Sequence, residues 1–259
     1  MMMGISWRAI YVWRRDFDVY LTTWWTNAVA PIFEPVLYLL AFGAGVGALI
    51  DRPIPYAGRE ITYVAFIAPG LIAVTIMFWA FFETLYASFV RMYYQKTFDA
   101  IVATPLSLED TIAGEILWAA TKSVGAATLM LGVIALFGLL QPTALLVIPL
   151  AALGGLFFAG LGMIFTAVCP TIDSFNLPIF LLIYPMFLFG GTFFPLEILP
   201  GWAQAVARLL PLTHIASFVR GVCLGNIGVY LWTDLLYLAA GTPALIGIAI
   251  VLMRRRLIH

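Results

Sequence analysis

Three charged residues stand inside long apolar runs: Glu34, Glu83 and Lys122. In hydrocarbon an ionised side chain is costly, and it is usually either paired or used in function. A helix rises about 1.5 Å per residue, which puts all three at similar depth in the half of the membrane nearer the N-terminus. That placement predicts a Lys122–carboxylate pair, with Glu83 the first choice of partner and Glu34 beside it. Such a pair could fix helix packing, touch a substrate head group or relay protons. A relay normally needs more titratable groups than these. Glu115 lies nearer the end of its run and is expected to be solvated.

Other chemistry is poorly provided for. The only histidines are His214 and His259 and the only cysteines Cys169 and Cys223, without metal-ligand spacing among them. No metal site is expected, and no disulfide, because the topology below separates the cysteines across the membrane. There is no G-x-x-x-x-G-K-[ST] phosphate loop and no serine in a G-x-S-x-G setting. Ser88, Ser123 and Ser217 have no evident base. The chain is therefore expected to be no enzyme and to bind no ATP or other cofactor itself. Aromatic residues cluster in two runs, as Phe78, Trp79, Phe81, Phe82 and Tyr86, then Phe180, Tyr184, Phe187 and Phe189. They either pack or line a path for an amphipathic substrate. Phe78, Phe82, Tyr86, Phe180, Tyr184 and Phe187 are the path candidates.

The elements that must position these residues are membrane helices. Hydrophobic residues make up 63% of the 259 and charged residues 10%, with a mean hydropathy of +1.04. Soluble domains carry about 25% charged residues. The apolar runs exceed the roughly 10 residues of a barrel strand and lack period-two alternation. A helix satisfies its own backbone in lipid and can cross alone. An all-α membrane protein follows, with six spans at about 24–50, 61–90, 111–140, 144–168, 175–194 and 229–253. Pro31 and Pro35 are expected to kink the first. Residues 1–22, with Trp7, Ile10, Tyr11, Trp13 and Phe17 between arginines and aspartates, read as an amphipathic interfacial helix. Residues 23–256 form the transmembrane domain. Residues 51–60 read as a short polar loop. Ser107, followed by Glu109 and Asp110, reads as a helix N-cap. Gly154, Gly155, Ala159, Gly160 and Gly162 permit close helix packing. Residues 201–224 are too broken by proline and glycine to cross and are expected to form two short external helices.

Basic residues set the orientation. Arg8, Arg14, Arg15, Arg91, Lys96, Arg254, Arg255 and Arg256 fall on one side, and Arg52, Arg59, Arg208 and Arg220 on the other. Both termini are expected inside. The net charge of zero and the lack of a basic tract argue against nucleic acid.

Two segments carry a resemblance. One is Phe98-Asp-Ala-Ile-Val-Ala-Thr-Pro-Leu-Ser-Leu-Glu-Asp-Thr-Ile-Ala-Gly-Glu115. The other is Gly190-Gly-Thr-Phe-Phe-Pro-Leu-Glu-Ile-Leu-Pro200, followed by Leu210-Pro-Leu-Thr-His214 and Val219-Arg-Gly221. In this order they resemble type-2 ABC transporter permeases (ABC-2 membrane subunits), nearest to the nodulation-protein-J branch of lipo-oligosaccharide exporters. The resemblance implies a homodimer in a bacterial inner membrane, bound to two copies of a separate ABC ATPase that holds ATP and magnesium. It implies a coupling segment at 91–107, with Arg91, Lys96, Phe98, Asp99, Ile101 and Pro105 facing that ATPase. It also implies re-entrant helices within 201–224 and an external gate near Phe194, Pro195, Pro200, Pro211 and His214. The cargo would be an amphipathic lipid-linked or lipo-oligosaccharide molecule. A small hydrophobic drug is the alternative, and an ion-coupled secondary transporter a more distant one. An intramembrane lipid enzyme would need a nucleophile or metal set that the sequence lacks.

Overall fold

The computed structural model describes residues 4–50 and 53–257, with the side chains of residues 26–28, 30–32, 35 and 44 outside the description. Asp51, Arg52 and His259 are outside it too, as are the side chains of the expected kink residues Pro31 and Pro35.

Helix α1 (Ala9–Thr22) covers most of the expected interfacial segment. The next segment is helical from Trp24 to Leu49: α2 (Trp24–Tyr38), then a π-helical stretch Leu39–Val46 and a 3-10 turn Gly47–Leu49. Among the described residues its apolar helix runs Val36–Leu49. The expected polar loop is an antiparallel hairpin, β1 (Ile54–Tyr56) with β2 (Arg59–Ile61). Its turn places Ala57 and Gly58 at positive φ. Among the described residues, five helical stretches are long and apolar enough to cross a membrane. They are α3 (Tyr63–Tyr94), α5 (Leu108–Leu136), the stretch Pro142–Val168, α7 (Ile172–Phe189) and α10 (Tyr230–Leu257). Between them lie the short helix α4 (Thr97–Val102) and the pair α8 (Gly201–Ala207) and α9 (Pro211–Cys223). That pair bends by 86° and makes a sixth crossing only if counted as one broken span.

Local chemistry explains the departures from the expected boundaries. Thr62 caps α3, its hydroxyl accepting from the Ala65 amide, so that helix starts two residues later than expected. Two π-helical turns, Glu83–Ala87 and Val90–Tyr94, carry it to Tyr94 instead of 90. Helix α5 begins at 108, not 111, because Ser107 and Asp110 form a reciprocal capping box. It ends at Leu136, ahead of Gly138 at positive φ. The stretch after it opens with a 3-10 turn, Pro142–Leu146, before α6 (Val147–Val168). Helix α7 stops at Phe189, five residues short of expectation, because the Gly190-Gly191 pair turns the chain, Gly191 at positive φ.

Helices α3, α5 and α6 pack on one another, with α10 against α6, α9 against α3 and α10, and α1 along α5. The small residues of α6 admit α3 closely. A β-carbon on Gly162 would meet the Phe81 carbonyl oxygen at 2.6 Å, and the neighbouring Thr166 hydroxyl donates to the Thr84 carbonyl at 2.7 Å. Contacts also fix which ends lie together. Arg254 pairs with Glu109 at 3.2 Å, and Arg256 donates to the Thr166 and Cys169 carbonyls. The start of α1, the α4 segment and the end of α10 therefore share one end of the bundle. The hairpin and the α8–α9 pair share the other, where Gln141 donates to the Cys223 carbonyl. Cys169 and Cys223 sit at opposite ends, both buried and free.

Helix α1 makes a close approach to α5 at Gly114. A β-carbon at Gly114 would lie 2.5 Å from Cβ of Val12 and 2.7 Å from the Ala9 carbonyl oxygen. Gly114→Leu is expected to lift α1 off the bundle while leaving α3, α5 and α6 assembled. The check is limited proteolysis of the purified protein: new cleavage within residues 9–22 and none within α5. Unchanged protection of α1 would show that this contact does not hold it.

Candidate functional site: a charged cleft below an aromatic ladder

The π-helical turns of α3 decide where its charges point. Such turns re-aim the side chains of a helix and recur at functional positions. Here they turn Glu83 and Arg91 toward α5 and α1. On α5, Glu115, Trp118 and Lys122 follow at i, i+3 and i+7, which is one helix face. Lys122 Nζ lies 2.8 Å from Glu83 Oε2, the expected pair. Trp118 Nε1 donates to Glu83 Oε1 at 3.0 Å, and Arg91 reaches the same oxygen at 3.2 Å.

Glu115 corrects the sequence reading most sharply. It is not solvated but fully buried, at 0% exposure. Arg91 Nη2 lies 2.5 Å from Glu115 Oε2, the Ser88 hydroxyl donates to that oxygen at 2.6 Å, and Arg15 Nη2 reaches Oε1 at 3.0 Å. Arg15 also pairs with the buried Asp16 at 2.6 Å. Arg15, Arg91 and Lys122 thus face Asp16, Glu83 and Glu115, three formal charges of each sign, and the cluster balances. Arg91 is accordingly not a residue of the outward-facing coupling surface; it is turned inward at the centre of this network. Glu34 is in no ion pair among the described residues. It lies beside Lys122 on the same cavity wall, within hydrogen-bonding reach of the Trp79 indole. The i, i+3, i+7 spacing on α5 was the available sign of Glu115's role. The π-helical turns left no sign in the sequence.

Two cavities meet at this cluster. One, of about 390 Å³, is lined by Glu34, Phe78, Trp79, Phe82, Tyr86 and Lys122 among others. The second, about 620 Å³, runs along α1 past Arg15, Asp16, Tyr20 and Trp118. Glu83, Tyr86, Ala87 and Lys122 border both. Lys122 Nζ also sits 5.3 Å from the Trp79 ring centroid, a cation–π contact that adds to its pairing. Above the charges runs a ladder of rings: Tyr86–Phe82 at 6.0 Å, Phe82–Phe78 at 5.4 Å, Phe78–Phe187 at 5.4 Å and Phe187–Phe193 at 4.8 Å. Phe180 and Tyr184, expected on the same path, pair with each other on the exposed face of α7 and line neither cavity.

Asp16 lies in α1, outside the spans. Burial chiefly, then the nearby Glu115 charge, pushes its carboxyl up to about 6 against the pull of Arg91 and Arg15. Its Oδ2 is buried without a partner among the described residues, as suits a site that favours the proton. A carboxyl with a raised folded-state pKa contributes stability that is present below its unfolded pKa and lost as pH rises through the folded value. Docking of α1 is therefore expected to weaken by roughly 3 kcal/mol between pH 4 and pH 7. Asp16→Asn should remove that dependence and tighten α1 at neutral pH. Hydrogen exchange of the α1 amides against pH checks it; identical slopes in the two proteins would contradict it.

At the same end, Asp99 of α4 and the flanking Lys96 and Pro105 are exposed to solvent. Ile101 is half-buried, and Phe98, at 1% exposure, anchors the helix in the core. Ser6 and Arg8 tie the start of the chain to this segment, through Asp110 at 2.7 Å and the Pro105 carbonyl at 2.9 Å. At the far end, Pro200 and Pro211 start α8 and α9, as proline does well. Phe194 and Pro195 are half-buried in the turn after α7. His214 does not face an opening. Its Nδ1 lies 2.7 Å from Asp234, its Nε2 2.9 Å from the Arg208 carbonyl oxygen, and its ring stacks on Tyr237 at 4.1 Å. It is a strut joining α9 to α10. Among the described residues no cluster of side chains could hold a metal ion.

Comparison with known proteins places this geometry in a family context. The ABC-2 type transporter family matches residues 9–224. Nodulation protein J of Rhizobium leguminosarum bv. viciae is 37% identical over 261 residues, covering 99% of this chain and 96% of the relative. Nodulation protein J of Rhizobium meliloti (strain 1021) is 36% identical, covering 97% and 95%. The inner membrane transport permease YadH of Escherichia coli (strain K12) is 24% identical, covering 86% of each chain.

Proposed function

This chain belongs to the ABC-2 type transporter family, and from that premise we propose that it is the permease of an ATP-driven exporter for an amphipathic, lipid-linked or lipo-oligosaccharide cargo. It is a multi-pass inner-membrane transport subunit. In the proposed assembly two copies form the conduit and two copies of a separate ABC ATPase bind ATP and magnesium. Both termini face the cytoplasm, with the α4 end of the bundle toward the ATPase.

The observation that carries this reading is the cleft around Lys122. A charged floor meets an aromatic wall there, and an amphipathic molecule has those two requirements. Its polar head would sit at the Lys122–Glu83 pair, sheltered from hydrocarbon. Its apolar part would lie along Tyr86, Phe82 and Phe78, where stacking and burial of ring area favour it. The ladder continues through Phe187 and Phe193 toward the hairpin end, giving a direction of travel.

ATP binding would close the two ATPase subunits and press on α4. The exposed Lys96, Asp99 and Pro105 and the half-buried Ile101 form the contact. The buried Phe98 ties α4 to the core, so the push reaches α5 and the charged cluster. Asp99→Lys or Ile101→Pro is expected to leave ATP hydrolysis by the complex intact and reduce transport at least tenfold. Co-purification with the ATPase and vanadate-sensitive uptake into inside-out vesicles test both parts. Normal transport by both variants would remove α4 from the coupling path.

A further inference from the structure

A third cavity, of about 800 Å³, opens at the hairpin end of the bundle, remote from the charged cleft. Its walls come from the hairpin, the turn after α7, α9 and the start of α10. Apolar side chains such as Ile54, Phe66 and Leu196 line it together with the polar Tyr56, Ser217 and Asn226. Arg220 of α9 lies in this wall and is only 6% exposed.

Arg220 is a buried cation with no carboxylate within 4 Å among the described residues. Its Nε donates to the Phe66 carbonyl at 3.1 Å and its Nη2 to the Gly191 carbonyl at 2.8 Å, and the guanidinium carbon sits 3.9 Å from the Phe66 ring centroid. These neutral partners orient the side chain and leave its charge without a counter-ion among the described residues. Nη1 carries no hydrogen bond among the described residues. A buried charge is normally paired, as the less buried Arg91 is with Glu115 and Glu83 and Lys122 with Glu83; Arg256, half-buried, is another cation held by carbonyls with no ion pair among the described residues. Beside Arg220 the Thr192 hydroxyl is also buried without a partner. Glu197, the acidic residue of the cavity wall, is solvent-exposed and makes no ion pair among the described residues.

We propose that this cavity is a binding site for a phosphate ester, with Arg220 Nη1 supplying the charge and Ser217 and Asn226 as neighbouring polar contacts. Phosphate is the oxyanion that membranes offer in quantity. A guanidinium held by its other nitrogens is pre-organised to receive it. The apolar half of the wall accommodates the glycerol and first methylenes of a lipid, while a free phosphate would use the polar half alone. The placement of the cavity on the external side rests on the orientation proposed above; the binding does not, so failure of either is separately readable.

The test uses the purified full-length chain in an uncharged detergent, without the ATPase. The probes are short-chain phosphatidylglycerol, inorganic phosphate and short-chain diacylglycerol, followed by native mass spectrometry and phosphorus NMR titration. Phosphatidylglycerol is expected to bind and diacylglycerol to fail. Competition by inorganic phosphate would support a site for the bare oxyanion; lack of competition would support a lipid headgroup gripped by both halves. Arg220→Gln is expected to weaken binding at least tenfold. Because Arg220 also joins α9 to α3 and the turn after α7, Ser217→Phe is the second variant. It fills the cavity without touching the Arg220 hydrogen bonds and should weaken binding as much. The proposal is overturned if neither phosphate probe binds, if diacylglycerol binds equally, or if Ser217→Phe binds like the parent.

Discussion

Glu115→Ala is expected to be the most damaging single substitution in the charged cluster. It removes the carboxylate that lies closest to Arg91 and that Arg15 also reaches, and it leaves a net positive charge among buried groups. Breaking a buried pair from one side typically costs about 3–5 kcal/mol, because the remaining charge is desolvated and uncompensated. Arg91 keeps Glu83 and Arg15 keeps Asp16, so part of the charge is still answered, but the Ser88 hydroxyl loses its acceptor and both arginines lose a bond. We expect a large fall in the yield of folded protein and in its unfolding temperature. The double variant Glu115→Ala with Arg91→Met should recover much of the loss, since it removes both charges and replaces them with apolar volume. A double-variant cycle by thermal unfolding in detergent gives the coupling directly. Additive losses would mean that the two residues act separately.

Lys122→Glu is expected to abolish transport with a smaller effect on folding. The substitution puts a third acidic residue beside Glu34 and Glu83 in a cavity of about 390 Å³. Like charges in such a site repel strongly, and one or more must take up a proton. Arg91 and Trp118 still hold Glu83 from the other side, so the helices should remain packed. The polar head of a cargo would meet repulsion where it now meets an ammonium group. Lys122→Arg should retain part of the transport, because the charge survives while the planar guanidinium fits the Trp79 face differently. Initial rates in vesicles, normalised to folded protein, separate the two effects. Equal loss of folding and of transport in Lys122→Glu would assign the residue to packing alone.

The membrane class was legible from composition, because an apolar run must be helical in lipid. The Lys122–Glu83 pair was legible from depth, and the α5 start from the Ser107 capping pattern. Four rings of the expected path, Phe78, Phe82, Tyr86 and Phe187, do form one ladder. What was not legible came from features with no local code. Two π-helical turns rotate Arg91 from an expected docking surface into the interior. Glu115 follows the polar first turn of α5 in sequence, and burial against α1 and α3 gives it a different role. Phe180 and Tyr184 fall on the exposed face of α7, which contains a further π-helical turn at Ile179–Ile183. The segment 51–60 is polar enough to read as a loop, and only the pairing of Ile54 with Ile61 makes it a hairpin.

The account rests on the cargo entering at Lys122 and climbing the ring ladder when a separate ATPase acts. Its most direct test is flux in liposomes holding the Tyr86→Cys chain and its ATPase, before and after a bulky maleimide is attached at that position, with the two native cysteines replaced. The account predicts ATP-dependent flux of an amphipathic cargo that the maleimide stops, with ATP hydrolysis continuing. Undiminished flux past the blocked cleft, or uphill flux by this chain without the ATPase, would contradict it.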